Sequence, residues 1–123
     1  MVQRGDGMEW RNDKAIFLQV IELFKRDIIL GKYKPNDKIK SVREYALYLG
    51  INPNTVVKVY DILAQEGLIE ARSTNGYYIT ENHEILSSLK PSFAEIYCQD
   101  FLKQMEGIGY GKEEAIQLLK EGK

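Results

Sequence analysis

The stretch Leu49-Gly50-Ile51-Asn52-Pro53-Asn54-Thr55-Val56 leaves the chain little freedom. Gly50 tolerates the positive φ at which a helix can end and a tight turn begin. Asn52 is a good N-cap, and Pro53 stands in the first helical position, where its missing N–H costs nothing. One helix must stop and the next start within a few residues. Two helices crossing at so short a turn need a small residue where their backbones approach, and Ala46 supplies it. Leu49 and Ile51 flank the turn on its buried side, while Val56 and Val59 face inward from the second helix. An ordinary helical hairpin obeys the same packing rules, so the flanking elements decide what the pair is for.

Before this turn, Ser41 stands three residues ahead of Glu44, the capping-box spacing that starts the first helix of the pair. Further upstream, Ile16, Phe17, Val20, Ile21, Phe24 and Ile28 recur at three- and four-residue spacing, the inner face of an amphipathic helix over 14–30. Gly31 follows it, and KYKPNDKI reads as a tight turn around Pro35. After the pair, the helix through Val56, Val59, Tyr60 and Leu63 ends at Gly67, and the period changes. Leu68–Arg72 and Tyr77–Thr80 are short β-prone runs about Ser73-Thr74-Asn75-Gly76, a hairpin whose turn uses Asn-Gly. The order helix, helix, tight turn, helix, hairpin predicts a winged helix-turn-helix over 14–80. Residues 1–13 read as an N-terminal tail around Trp10. From 81 to 123 the chain reads as a helical tail, in which Pro91 begins a helix or kinks one and 107–111 is a Gly-rich break. The expected class is α+β, mostly α.

Composition excludes several alternatives. With 44% apolar and 28% charged residues and three prolines among 123, the chain sits with globular proteins and not with disordered ones. No apolar run approaches the roughly 18–20 residues of a membrane span. The first residues lack the apolar core of a secretion signal, so a cytoplasmic location is expected. One cysteine, Cys98, and one histidine, His83, exclude an internal disulfide and a Cys/His zinc site within one chain. Cys98 reads as a small packing residue and His83 as a solvated residue at a helix start. Gly107-Ile108-Gly109-Tyr110-Gly111 lacks the strand and the lysine-serine pair of a phosphate loop and reads as a connection. No cofactor, metal or enzymatic activity is expected.

The net charge of −1 hides a division along the chain. Residues 1–80 carry +2 and residues 81–123 carry −3. Within 32–58, Lys32, Lys34, Lys38, Lys40, Arg43 and Lys58 face only Asp37 and Glu44, a local balance of +4. Phosphate contacts depend on such a patch and not on total charge.

The run over 15–80 carries specific motifs: L-Q near its start, S-V-R-E at the second helix, L-G-I-N-P-N-T-V, E-G-L-I, and a glycine in the hairpin. On these it resembles the N-terminal domain of GntR-family bacterial transcription regulators. The N-P-N-T-V version and the short helical tail ending E-E-A-I-Q-L-L-K-E resemble the small YtrA-type subfamily. The resemblance places Arg43 on the family's DNA-contacting arginine and Gly76 on its wing glycine. An arginine just inside a helix N-terminus beside Lys40 and Ser41 can itself grip a phosphate or fork onto a guanine edge. Pairing with Glu44 or Asp37 is the alternative. Asn52, Asn54, Thr55 and Lys58 occupy the start and exposed side of the recognition helix, with Asn52 equally suited to capping alone. Ser73, Thr74, Asn75 and Gly76 form the wing tip, which is otherwise a plain hairpin turn. Many relatives have arginines at Pro53 and Val57, a proline at Lys40, and an arginine beside the wing glycine, so this chain offers fewer cations.

In the tail, Ala94, Tyr97, Phe101, Met105 and Ile108 form one apolar stripe, and Ala115, Leu118 and Leu119 another. Such faces need the first domain, a second copy of the chain, or both, and Phe93, Tyr97 and Phe101 could otherwise line a ligand pocket. The expected function is sequence-specific binding of a double-stranded, (pseudo)palindromic DNA operator by a homodimer. The resemblance implies repression, with any small-molecule effector unidentified. The competing expectation is a winged-helix protein-interaction module that never binds DNA; apolar anchors in place of Lys40, Arg43, Asn54 and Lys58 would mark it.

Overall fold

A computed structural model describes residues 9–122. Its helices are α1 (Ile16–Ile29), α2 (Val42–Leu49), α3 (Pro53–Gln65), α4 (His83–Gly107) and α5 (Lys112–Glu121). Strands β1 (Ile69–Ala71) and β2 (Tyr77–Ile79) pair antiparallel, with Ile69 opposite Ile79 and Ala71 opposite Tyr77. The fold is a winged helix-turn-helix followed by C-terminal helices. The chain forms two compact units, one ending at Ser87 and the other beginning at Ser88.

The punctuation read from the sequence is physically present in the first unit. The Ser41 hydroxyl accepts from the Glu44 amide at 3.1 Å, and the Glu44 carboxylate accepts from the Ser41 amide at 2.9 Å. That backbone bond holds the Glu44 carboxyl below its ordinary pKa. The cap is therefore complete above the ordinary carboxylate range and is lost as pH falls through the lowered value. Gly50 closes α2 at φ 69°, and the Asn52 side chain caps α3 by accepting from the Asn54 amide at 2.8 Å.

Two segments differ from expectation. The stretch after α1 is a turn only as far as Asp37. Beyond it, Lys38 bridges Tyr78, and the Ile39 amide donates to the Tyr77 carbonyl at 3.0 Å, so this segment lines the edge of β2. The wing turn is also wider than an Asn-Gly pair. The Arg72 amide reaches the Gly76 carbonyl at 2.8 Å, and the left-handed residues are Ser73 and Gly76. Of the expected N-terminal tail, residues 1–8 lie outside the described residues, while 9–13 are fastened to α1. Trp10 is buried, and Gln19 of the L-Q pair accepts from the Arg11 amide and donates to the Arg11 and Lys14 carbonyls.

The core joins Val20, Phe24 and Ile28 of α1 to Ala46 and Leu49 of α2, Val56, Val59 and Leu63 of α3, and Leu68, Ile69 and Ile79 of the hairpin. At its centre Tyr60 lies 5.9 Å from Tyr45, 6.3 Å from Phe24 and 5.0 Å from Tyr77, ring centroid to centroid. Its hydroxyl donates to the Lys40 carbonyl at 2.6 Å. Burial pushes the Tyr60 phenol well above its ordinary pKa and lifts that of Tyr33, stacked on Phe24, to about 12.

In the C-terminal part, Asn82 caps α4 by accepting from the Glu84 and Ile85 amides. The helix runs on through Pro91 instead of restarting there. Proline cannot donate to the carbonyl four residues back. That carbonyl belongs to Ser87, where the first compact unit ends. Residues 108–111 connect α4 to α5, as the glycine spacing suggests. Cys98 is exposed on α4, contrary to a packing role within the chain: it shares the exposure of its stripe neighbours Ala94 and Tyr97.

Tyr60→Phe keeps the ring contacts and removes the bond to Lys40, so it should cost about 1 kcal/mol. Tyr60→Ala should cost about 3–5 kcal/mol by opening a cavity. Urea unfolding of both variants measures the difference; equal losses would mean that the hydroxyl and not the ring carries the position.

Candidate nucleic-acid interface

The N-terminus of α2 and the first two turns of α3 bring most of the expected contact residues to one surface. Arg43 is exposed and has no ion-pair partner among the described residues. Its two expected alternatives are engaged elsewhere: Glu44 accepts from the Ser41 amide, and Asp37 accepts from the Lys34 amide at 2.8 Å. The guanidinium therefore keeps its full charge and its donors. Lys40, at the entry to α2, holds its ammonium 4.8 Å from the Tyr48 ring centroid. Ser41 uses its oxygen as the cap acceptor and retains a hydroxyl proton to donate.

On α3, Asn52 caps through its carbonyl oxygen, leaving its amide NH2 exposed. Asn54 and Lys58 are exposed one turn apart, and Thr55 is half-buried beside them. The Lys58 ammonium sits 3.6 Å from the ring centroid of Phe17, which belongs to α1. Ile16, Phe17, Asn54, Thr55 and Lys58 line one open depression. Periodicity assigns Phe17 only to the inner stripe of its helix, so its role under Lys58 could not be read from spacing.

The wing has a different charge arrangement from the one its sequence suggests. Ser73, Thr74 and Asn75 are exposed, and Gly76 is half-buried. Arg72 is bound through two nitrogens to Glu70 and lies 4.3 Å from the Tyr78 ring, so its charge is largely spent within the hairpin. The exposed cation next to the tip is Lys38, reached from the preceding segment through its bridge to Tyr78. A Cβ placed on Gly76 would lie 3.5 Å from Lys38 Cε. The charge count of residues 32–58 includes Lys38, but only the strand pairing, invisible in that turn-like sequence, brings it to the wing.

In the C-terminal unit, Ala94 and Tyr97 are exposed on α4, Phe101 and Met105 half-buried, and Ile108 is 71% exposed just beyond the helix. Leu118 and Leu119 of α5 are exposed, Leu119 at 64%. Ala115 does not belong with them: it is fully buried within the chain and has no surface left for a partner. Ile96 is exposed beside Tyr97 and lies outside the expected stripe. Among the described residues no three His, Cys, Asp or Glu side chains group as metal ligands, and no helix is long and apolar enough to cross a membrane. His83 is exposed at the first position of α4.

Known proteins share this fold. The chain is 32% identical over 112 residues to the HTH-type transcriptional regulator YhcF of Bacillus subtilis strain 168, covering 91% of this chain and 93% of that one. It is 44% identical over 72 residues to the HTH-type transcriptional repressor YtrA of the same organism, covering 58% and 55% of the two chains. Its fold matches a GntR-family transcriptional regulator from Listeria monocytogenes with a TM-score of 0.83 and 29% identity, over 93% of this chain and all of that one. The DNA-binding domain of AraR, solved in complex with the operator ORR3, matches 60% of this chain and 87% of its own with a TM-score of 0.52 and 26% identity. Residues 17–79 match the family model of bacterial regulatory proteins, gntR family. With its winged helix-turn-helix and its YtrA-type relatives, the chain belongs to the GntR family of DNA-binding transcription regulators.

Proposed function

We propose that this protein is a cytoplasmic repressor that binds a (pseudo)palindromic DNA operator as a homodimer. The observation that carries the reading is the unneutralised Arg43 beside the outward row of α3. A free guanidinium beside exposed amides and lysines suits base edges and phosphates. On this reading residues 14–80 are the reader and residues 81–123 the dimerisation tail. The start of α3 enters a major groove, where Asn52, Asn54, Thr55 and Lys58 meet base edges and phosphates. Lys40, Ser41 and Arg43 fix its register, and Ser73, Thr74, Asn75 and Gly76 approach the neighbouring minor groove with Lys38 as the wing's cation. The complex of AraR's related domain with an operator, and the repressor YtrA, support this use of the surface.

The exposed apolar residues Ala94, Ile96, Tyr97, Ile108, Leu118 and Leu119, with Phe101 and Met105 half-buried among them, support self-association. A two-fold dimer implies half-sites about one helical turn apart, or a multiple of that. Any effector that relieves repression would act by favouring one dimer geometry over another.

Selection from a random duplex pool at fixed salt tests the reading directly. An enriched palindrome is expected; retention without enrichment would leave a nonspecific binder, and no retention at low salt would move the fold to protein interaction. Against the selected operator, Arg43→Ala should bind about 10–100-fold more weakly with unchanged folding and dimerisation. Lys38→Gln should weaken all sequences alike and reduce the slope of log K against log salt by about 0.9. An unaltered slope would remove Lys38 from the contact set. Phe101→Asp should sediment as a monomer that binds a single half-site poorly; a dimer would place the interface on another face.

A further inference from the structure

The outward row of α3 contains one residue that polar or charged readout does not use. Its members at three- and four-residue spacing are Asn54, Val57, Lys58 and Asp61, all exposed. Val57 is 43% exposed, although Val56 and Val59 of the same helix are completely buried. Pro53, one turn earlier, is exposed as well, and with Arg43, Leu47, Gly50 and Ile51 it lines a depression between α2 and α3. An apolar strip, Pro53 and Val57, thus lies between Arg43 on one side and Asn54 and Lys58 on the other.

We infer that Val57 reads the 5-methyl group of a thymine in each half-site. This rests on the proposed insertion of α3 into a major groove. Arg43 and Lys58, which flank the strip, complement a polyanion. Among the base edges of the unmodified major groove, the thymine methyl is the apolar feature. A β-branched side chain on a helix has essentially one rotamer, so its methyl groups are presented in a fixed direction. The row ends at Asp61, whose carboxylate is repelled by phosphate. Close base contact is thereby confined to the first two turns of α3, which contain Val57.

The test begins with the operator enriched from random DNA and replaces each of its thymines in turn by deoxyuridine, which lacks only the methyl group. At one thymine per half-site the wild-type protein should lose about 4-fold in affinity, the worth of one buried methyl group. Val57→Ala, an exposed change that favours the helix, should fold normally and bind the thymine and deoxyuridine operators equally. The inference is overturned by an enriched half-site without thymine, by wild-type binding indifferent to every replacement, or by a Val57→Ala protein that keeps the sensitivity. Failure to enrich any operator is scored before these steps; it removes the DNA-reading function itself and, with it, this inference.

Discussion

The proposed reading surface depends on the ring of Tyr60. This side chain sits on the inner face of the recognition helix and touches Phe24 of α1, Tyr45 of α2 and Tyr77 of β2. Its hydroxyl then reaches the Lys40 carbonyl at the entry to α2. One rigid side chain thereby relates every element that carries a proposed contact residue: α3 with Asn54 and Lys58, α2 with Arg43, and the hairpin with its tip. Aromatic pairs at these separations contribute about 0.5–1.5 kcal/mol each beyond area burial, and they also fix angles. Base-edge recognition needs such fixed angles, since a guanidinium displaced by an ångström no longer forks onto two acceptors.

Electrostatically the surface works with few cations, and the fold governs where each is held. Lys40 and Lys58 rest over Tyr48 and Phe17, so two long side chains that would otherwise sample many rotamers are partly ordered before any ligand arrives. Arg43 is left without a carboxylate because capping occupies Glu44 and the turn occupies Asp37. The wing shows the opposite case: Arg72 is neutralised by Glu70, and Lys38 brings charge from a separate segment. A count of basic residues along the chain registers the sum, whereas the pairing decides which of them face outward unneutralised.

Local punctuation was the most legible layer of the sequence. Ser41 with Glu44, Gly50, and Asn52 with Pro53 each determine a backbone conformation through their own atoms, and all act as their spacing implies. The L-Q pair, in the sequence only a motif, acquires a physical reason when Gln19 ties residues 11 and 14 to α1. Features that depend on distant partners were not legible. The pairing of Lys38 with Tyr78, the place of Phe17 beneath Lys58 and the complete burial of Ala115 are all products of tertiary packing. Pro91 illustrates the limit of propensity: α4 continues through it although the Ser87 carbonyl loses its backbone donor there.

The scarcity of cations also bears on why two readers would be needed. Residues 81–123 carry a net charge of −3, and on the proposed reading each reader relies on a handful of side chains in the first unit. A single half-site bound by so few charge-assisted contacts would be weak. Joining two readers makes the second contact intramolecular, and the effective concentration so gained can exceed what several further lysines would contribute. On the proposed reading, the exposed apolar face of the tail and the sparse charge of the reader are two sides of one arrangement. Affinity then comes from pairing, while specificity stays with Arg43 and with the neutral and apolar groups beside it.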